Sequence, residues 1–395
     1  MAMKKIALGA WVLCAGVSVS GAAQAQAPAP AAPEEPKPNA MTVPAMAGPL
    51  VANPNPASWD TPLGTLYATG AVSAFSMWQT RPAASDRDQR LDFTNGQVVV
   101  QKTEGLVQFY VHAGAYSFPS LGTPYLTAER ATGDFFSPVP VAYVKLAPTD
   151  EFSIQAGKLY TLIGAEYAFT YQNMNIERGL LWNQEPIVSR GVQANYTLGP
   201  VAFSASLNDG YYSDSYNWLT GSAAWTINKE NTLSVVGGGN FDQTSKNVFP
   251  KTPFFQNNGE IFNLIYTYNA APFTITPYFQ YTHVPKNPGL GALTGASTYG
   301  GAVLANYALS ENINFASRFE YISSTGNIFA PNLLYGPGSN AWSVTFTPTY
   351  SLGQFFVRAE GSVVQADNIT PGLAFGKGGN ARTQGRFMVE TGVVF

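Results

Sequence analysis

The chain of 395 residues contains one cysteine, two histidines and few charged residues. Cys14 lies in the apolar part of an N-terminal segment, so we expect the chain after residue 25 to have neither a thiol nor a disulfide. Charged residues make up only 11% of the chain, and no apolar run after residue 62 approaches the roughly 20 residues that a membrane helix needs. These shortages exclude a disulfide-stapled fold and a helical membrane protein.

The histidines and glycines form no pattern typical of an enzyme. A hydrolytic nucleophile needs a histidine base and an orienting carboxylate, but GxSxG is missing and no carboxylate cluster lies near His112 or His283 in the sequence. The glycines 237–239 are not followed by Lys-Ser/Thr, so they are not a phosphate loop. No His or Cys spacing indicates a metal site. We therefore expect no catalysis, no cofactor and no metal.

From residue 63 to residue 395 the chain reads as strands of about 10 to 15 residues joined by alternating short and long connections, as in a transmembrane β-barrel. Seven tight turns predict an all-β, antiparallel up-and-down barrel of 16 strands, within a range of 14–18. The turns are Lys102–Glu104, Pro148–Asp150, Thr197–Pro200, Asn228–Asn231, Asn269–Pro272, Ser310–Asn312 and Ser351–Gly353. The longer connections lie near 80–89, 117–138, 160–187, 213–216, 243–258, 285–297, 325–339 and 367–383. The turns are expected on the periplasmic side.

Aromatic residues recur near both ends of the predicted strands, as they do at the boundaries of a membrane. One set flanks the tight turns: Tyr196, Phe203, Tyr268, Phe273, Tyr307, Phe315, Tyr350, Phe355 and Phe395. A second set lies near the long connections: Trp78, Trp218, Tyr281, Tyr321 and Trp342. We expect both sets to face lipid.

The longest connection, 160–187, is predicted to be a constriction loop, because long ordered loops are often functional. The alternation of a strand directs Arg318, Glu320, Arg358 and Glu360 inward, together with Gln108 and Lys145. A charge on the lipid face would cost about 2–4 kcal/mol for Arg or Lys at mid-membrane. The two Arg-x-Glu pairs either select solutes or only brace the inner wall.

Two cations beside the long connection break this alternation. Lys158 and Arg190 fall on the lipid face by counting, yet each adjoins a glycine, Gly157 or Gly191, that permits a bulge. We expect both strands to leave register there and turn the two cations into the pore. They would oppose the loop's acidic residues Glu166, Glu177 and Glu185, with Arg178 also lining the constriction, and set a transverse field. The alternative is that both cations lie in the outer polar zone.

The same stretch carries a family resemblance. The runs LIGAEY (162–167), NIERGLLW (175–182) and EPIVSRGVQ (185–193) resemble the OmpL-like putative β-barrel porins of bacterial outer membranes. The resemblance implies an outer-membrane channel with a poorly defined solute, and it does not imply an enzyme. The terminal Phe395 of the last strand resembles the signal read by the outer-membrane assembly machinery.

The N-terminal region precedes the barrel. Residues 1–25, with Lys4 and Lys5, an apolar stretch and Ala23-Gln24-Ala25, have the pattern of a secretory signal peptide. Its removal leaves 19 basic and 24 acidic residues, a balance too mild to indicate nucleic acid as a partner. Residues 26–62, rich in Ala and Pro, are expected to be a disordered periplasmic lead-in. The alternatives, a plug in the lumen or a tether to the cell wall, have no motif.

The sequence thus predicts an outer-membrane porin for passive diffusion of small hydrophilic solutes. Two alternatives stay open: a facilitator for hydrophobic or aromatic compounds, and a non-conducting adhesin or structural barrel. The expected partners are outer-membrane lipids and lipopolysaccharide, small solutes, and the assembly machinery through Phe395. General porins are often trimers, so a homo-oligomer is also considered, although one chain shows no trimer seam.

Overall fold

The computed structural model describes Met46, Leu50, Asn53, residues 55–245 and residues 253–395. The predicted signal peptide, 1–25, and most of the predicted lead-in lie outside the described residues. Within the described ranges, no helix is long and apolar enough to cross a membrane.

Sixteen of the described strands form one closed antiparallel barrel, as predicted. Each strand from β2 to β16 pairs with the next along the chain, and β17 closes the ring on β2, from Val394 opposite Ala71 to Arg386 opposite Gln79. The strands are β1 (Ala57–Thr61), β2 (Gly64–Gln79), β3 (Gln89–Lys102), β4 (Val107–Tyr116), β5 (Val141–Leu146), β6 (Phe152–Tyr160), β7 (Val188–Leu198), β8 (Val201–Asn208), β9 (Trp218–Thr226), β10 (Asn231–Asn240), β11 (Glu260–Ala270), β12 (Phe273–Val284), β13 (Ala296–Ala308), β14 (Ile313–Ser324), β15 (Asn340–Leu352), β16 (Phe355–Asp367) and β17 (Thr383–Val394).

The additional strand, β1, pairs only with the first part of β2, from Ala57 opposite Ala68 to Thr61 opposite Gly64. β1 and β17 therefore pair with the same edge of β2, and β1 occupies the part of that edge that lies beyond the end of β17. Phe395 extends that ladder by one step, because its N–H donates to the carbonyl of Gly70 at 2.9 Å and its carbonyl accepts from the N–H of Gly70 at 2.7 Å.

The connections alternate in length around the barrel, so the seven short turns share one rim and the eight longer connections share the other. Each predicted tight turn lies at a junction between consecutive strands. The helical pieces of the described chain are all short: α1 (Ala128–Arg130), a π-helical turn (Ala131–Phe136), α2 (Phe254–Asn257), and 3₁₀ turns at Thr170–Gln172, Trp182–Gln184 and Pro288–Leu290.

Side chains alternate between the two faces of the wall with the period of a strand. In β15, Trp342, Val344 and Phe346 are exposed on the outside, while Ser343 and Thr345 are fully buried on the inside. The predicted inward positions of Arg318, Glu320, Arg358 and Glu360 are all buried, and their neighbours along the strand are more exposed.

Trp218 is an exception to the predicted outer set of aromatic residues. Its side chain is fully buried, its ring packs edge-on against Tyr211, and its Nε1–H donates to the carbonyl of Asn257 at 2.6 Å. The expectation that it faces lipid was wrong because the inward positions of β9 alternate from Trp218 through Thr220. Trp78, Tyr321 and Trp342 are exposed as expected.

Candidate functional site

The third long connection, residues 161–187, lies inside the barrel, and we name it the lumen loop. It is one residue shorter than the predicted 160–187, because Tyr160 ends β6. Its apolar residues Met174, Leu180 and Leu181 are at most 1% exposed and pack in one cluster with inward-facing wall residues such as Tyr278. Burial of these side chains against the wall holds the loop inside rather than above the rim.

Glu320 on β14 binds the backbone of the lumen loop. Its carboxylate accepts from the N–H groups of Leu180 at 3.0 Å and Leu181 at 3.4 Å, and from the hydroxyl of Ser343 at 2.7 Å. The loop comes so close that a Cβ at Gly179 would lie 2.0 Å from Oε1 of Glu320. A side chain at this position would push the carboxylate of Glu320 away from the loop.

Arg318, two residues earlier on the same face, also binds the lumen loop. Its Nη1 donates to Oε1 of Glu166 at 2.6 Å and to the carbonyl of Glu177 at 2.7 Å. The second oxygen of Glu166 accepts from the N–H of Gly179 at 2.8 Å. Hydrogen bonds to charged groups contribute about 1.5–3 kcal/mol each, so these contacts fix the middle of the loop.

Glu360 and Arg358 repeat this arrangement on β16. Glu360 accepts from the N–H groups of Ile176 at 2.5 Å and Glu177 at 2.9 Å. Arg358 donates to the carbonyl of Thr170 at 2.8 Å. The two Arg-x-Glu pairs thus bind the loop backbone. Their carboxylates accept hydrogen bonds from N–H groups, and their guanidinium groups donate to carbonyls.

A third wall cation connects the lumen loop to the second long connection. Arg386 on β17 donates from Nη1 to Oε1 of Glu177 and to the carbonyl of Ser120, both at 2.7 Å. Next to it, Arg178 and the second connection exchange backbone hydrogen bonds: its N–H donates to Pro119 at 3.0 Å, and its carbonyl accepts from Leu121 at 2.9 Å. The two connections form one packed layer across part of the lumen.

The predicted transverse pair of Lys158 and Arg190 is wrong. The β6–β7 ladder runs without a shift, with Gly157 opposite Gly191 and Lys158 opposite Arg190, so the strands do not leave register. The hydrogen bonds described for the two cations go to other connections.

Lys158 contacts the end of the second connection. Its Nζ donates to the carbonyl of Val139 at 2.8 Å and to the hydroxyl of Ser137 at 3.1 Å. Arg190 instead binds the fourth connection: its Nε donates to Asp209 at 2.8 Å, and its guanidinium stacks 4.0 Å from the ring centre of Tyr212. Both cations thus stabilise loops at the rim.

Two buried charged residues of the lumen loop have incomplete hydrogen bonding. Neither carboxylate oxygen of Glu185 has a partner within the described residues, and nor do Nε and Nη2 of Arg178. Burial raises the pKa of the Glu185 carboxyl well above its ordinary value, and the nearby carboxylates of Glu166 and Glu320 raise it further. Burial lowers the pKa of the Arg178 guanidinium to about 10. Both shifts favour the uncharged form of the group.

The opposite side of the lumen loop leaves open space. A cavity of about 370 Å³ lies between the loop and the inner face of β9–β12. Its wall side carries small hydroxyl and apolar groups, and its loop side carries Leu162, Ala165 and Tyr167. The wall residues are Ser222, Ala224, Thr232, Ser234, Val236, Ile265, Thr267 and Thr276. Among the described residues that line this cavity, none is charged.

Sequence reasoning missed these hydroxyl residues and two members of the charged wall, Arg386 and Glu390. Arg386 and Glu390 are four residues apart in β17, so the period of a strand puts them on one face. The hydroxyls follow the same period: Thr232 and Ser234 are two residues apart on β10. A search for polar uncharged residues at period two would have found them.

The two histidines take part in wall contacts. His112 lies between the side chains of Gln97, at 2.7 Å, and Tyr160, at 2.9 Å. His283 contacts the hydroxyl of Ser297 at 2.9 Å. In the described part of the chain, no group of three or more His, Cys, Asp or Glu residues is arranged to hold a metal.

Comparison with models of known protein families identifies the family of the chain. Residues 65–395 match the family described as "Putative beta-barrel porin-2, OmpL-like". The chain belongs to this family. A comparison with curated protein sequences gives no match.

Solved structures similar to this family member are also barrels. The outer-membrane expressed OmpT of Vibrio cholerae is 13% identical and has a TM-score of 0.56, with 86% of this chain and 100% of that chain covered. An in-vitro folded trimer form of the same protein is 13% identical and has a TM-score of 0.54, with coverages of 84% and 99%. The outer membrane channel DcaP of Acinetobacter baumannii is 12% identical and has a TM-score of 0.57, with coverages of 86% and 100%. At these identities the likeness concerns the fold.

Proposed function

We propose that the chain is an outer-membrane channel through which small hydrophilic solutes diffuse passively, between the lumen loop and the β9–β12 wall. The observation that supports this route is the cavity of about 370 Å³ with hydroxyl groups along its wall side. Pore-lining hydroxyls exchange hydrogen bonds with a solute as it loses water, and this is how a channel lowers the barrier to entry.

The uncharged lining favours neutral solutes such as small polyols. The sequence left two roles open for the wall charges Arg318, Glu320, Arg358 and Glu360: solute selection or bracing of the wall. Their side chains are at most 1% exposed, and their partners are in the lumen loop or the wall, which favours bracing. We assign them the role of holding the loop across the lumen, which makes the loop the constriction. Charge selection is then weak.

The outer face fits a bacterial outer membrane. Exposed aromatic side chains near the short turns include Tyr196, Phe203 and Phe355, and the exposed Trp78 and Trp342 lie near the other rim. We propose contact with membrane lipids and lipopolysaccharide along this face, export through the periplasm, and recognition of Phe395 by the assembly machinery. A homo-oligomer is compatible with the trimer form of the OmpT neighbour.

Single-channel current in planar bilayers tests the function. The refolded chain is compared with Ser234→Trp, which enters the cavity, and with Val235→Trp, which lies next to it on the outer face. We expect the native chain to conduct, Ser234→Trp to lower the conductance, and Val235→Trp to leave it unchanged. Deletion of residues 162–184 should raise it.

Two results contradict the proposal. If neither the native chain nor the deletion variant conducts, the diffusion channel fails and a non-conducting adhesin or structural barrel takes its place. If all variants conduct equally, solutes do not pass between the loop and β9–β12.

A further inference from the structure

A second cavity lies among the longer connections. Its volume is about 180 Å³, and its lining comes from the second, fourth and fifth of these connections, the lumen loop and the first residue of β7. Four aromatic side chains contribute to the lining: Phe135, Phe136, Trp182 and Tyr211. Pockets for drug-sized molecules measure about 300–1,000 Å³, so this cavity suits a smaller ligand.

Glu185 is the one charged residue of this lining within the described chain. The residue is 5% exposed, and neither carboxylate oxygen has a hydrogen-bond partner among the described residues. Gly164 lies directly against the carboxylate, so that a Cβ at Gly164 would collide with it. A buried polar group without a hydrogen bond is costly. An unpaired carboxyl group beside a cavity therefore indicates a partner that enters the cavity.

The charges around Glu185 favour a cation as this partner. The charged groups that act on it are the carboxylates of Glu166 and Glu320, which Arg318 pairs with, and both raise the pKa of Glu185. Such surroundings disfavour a second negative charge and favour a positive one. The aromatic lining adds to this preference, because the face of a ring attracts an ammonium group within about 6 Å of its centre.

The lining also selects among cations. The two oxygens of Glu185 accept N–H donors, which a primary ammonium group provides and a quaternary one lacks. A calcium ion takes about six to eight oxygen ligands, and Glu185 is the one carboxylate here. The apolar side chains of Phe136, Ile187 and Val188 offer contacts to a hydrocarbon stem.

We propose that this cavity binds a small primary ammonium ion, with its charged group on the Glu185 carboxylate and a short hydrocarbon stem among Phe135, Phe136 and Trp182. As the ligand binds, the carboxyl group releases its proton to the solvent, and both carboxylate oxygens accept hydrogen bonds from the ammonium group. The site does not depend on the proposed channel, because its test measures binding rather than current.

Binding is thus coupled to the release of a proton. The titratable groups of neighbouring elements that act on Glu185 or respond to its charge are Glu166, Glu320, Tyr211 and Tyr278. Because the empty site is protonated below the raised pKa of Glu185, the affinity for an ammonium ion rises with pH until the pH passes that value.

Isothermal titration calorimetry of the refolded chain in detergent tests the site, with n-butylammonium chloride as the probe. The neutral and anionic controls of matched size are 1-butanol and butyrate. We expect butylammonium to bind more tightly than either control. At pH 6, titrations in buffers of different ionisation enthalpy should show that its binding releases a proton.

Glu185→Gln keeps the size of the side chain and removes the carboxylate, and Glu260→Gln makes the same change at an exposed position of β11. Loss of the charge-assisted hydrogen bonds should weaken butylammonium binding by about tenfold or more in Glu185→Gln. Glu260→Gln should bind like the native chain. Phe135→Leu removes a partly exposed ring and should weaken binding about two- to fivefold.

Three results overturn the proposal. Equal affinities for butylammonium, 1-butanol and butyrate, or no binding at all, would show that the cavity does not recognise the ammonium group. Unchanged affinity in Glu185→Gln, with circular dichroism of a folded barrel, would exclude Glu185 as the partner. Binding of butylammonium without proton release at pH 6 would exclude the exchange of a proton for the ligand.

Discussion

Arg358 and Glu390 are directly opposite each other across the β16–β17 pair, and Nη2 of Arg358 lies 2.7 Å from Oε2 of Glu390. Both side chains are fully out of solvent contact. The other oxygen of Glu390 accepts from the hydroxyl of Thr170 in the lumen loop at 2.7 Å. This ion pair therefore connects two wall strands to the loop.

We expect Glu390→Leu alone to destabilise the barrel by about 3–5 kcal/mol, because Arg358 keeps a buried charge without its partner. The double variant Arg358→Met/Glu390→Leu should recover most of that loss. Urea unfolding of the refolded chain in detergent, followed by tryptophan fluorescence, measures both values. If the double variant is less stable than Glu390→Leu, the pair does not behave as a buried ion pair.

Gly179→Ala tests the close contact between the lumen loop and Glu320. The new Cβ would lie 2.0 Å from Oε1 of Glu320, so the carboxylate must move away from the N–H groups of Leu180 and Leu181. Overpacking of this kind costs about 1–3 kcal/mol. Gly361→Ala is the matched control, because a Cβ there meets nothing within 4 Å.

We expect Gly179→Ala to show noisier and larger single-channel currents than Gly361→Ala, since its loop is held less firmly. Equal current traces from the two variants would mean that this contact does not control the opening.

Thr267 offers a test of charge selection, because it lines the uncharged cavity. Thr267→Lys should make the channel prefer anions, and Thr267→Glu should make it prefer cations, since a single charge in a narrow pore dominates an otherwise neutral lining. Reversal potentials in a salt gradient should shift in opposite directions for the two variants. Each variant is the size-matched control of the other. Shifts of the same sign would place Thr267 outside the ion path.

The buried Glu185 predicts a dependence of stability on pH. Its folded pKa is raised, first by burial and then by Glu166 and Glu320, so its contribution is fully present below the ordinary carboxyl value and is lost as pH rises through the folded value. Tyr211 and Tyr278 also lie within its electrostatic reach. We expect the free energy of unfolding to fall with rising pH by about 1.4 kcal/mol for each unit of pKa shift.

Glu185→Gln stays neutral and should flatten this dependence. Urea unfolding at several pH values between 4 and 9 compares it with the native chain, and Glu260→Gln at an exposed position controls for the loss of a charge. A native profile that stays parallel to that of Glu185→Gln would show that Glu185 does not titrate in the folded barrel.

Period-two reasoning predicted the parts of the fold that depend on neighbouring residues. The inward placement of Arg318 and Glu360 follows from the alternation within their own strands, and the tight turns follow from local composition. The partners of these residues could not be predicted in the same way. Glu177 meets Arg386 across a sequence separation of 209 residues, which no local pattern reports.

Lys158 shows the same limit. Its position beside Gly157 suggested a local change of face, but its ammonium group is held by Ser137 and Val139, which belong to a different connection. The prediction considered only the residues on its own strand and the loop that follows. Glycine in an extended strand permits a bulge, yet here the ladder stays in register.

Charged side chains are distributed unevenly over the inner wall. Those of β14, β16 and β17 bind the lumen loop, whereas β9–β12 carry hydroxyl groups next to open space. On the proposed function, a substitution in the first group would alter folding and opening together, whereas one in the second would alter mainly the solute that fits. Solute preference would then diverge among related barrels through changes in β9–β12, while the strands that secure the loop stay the same.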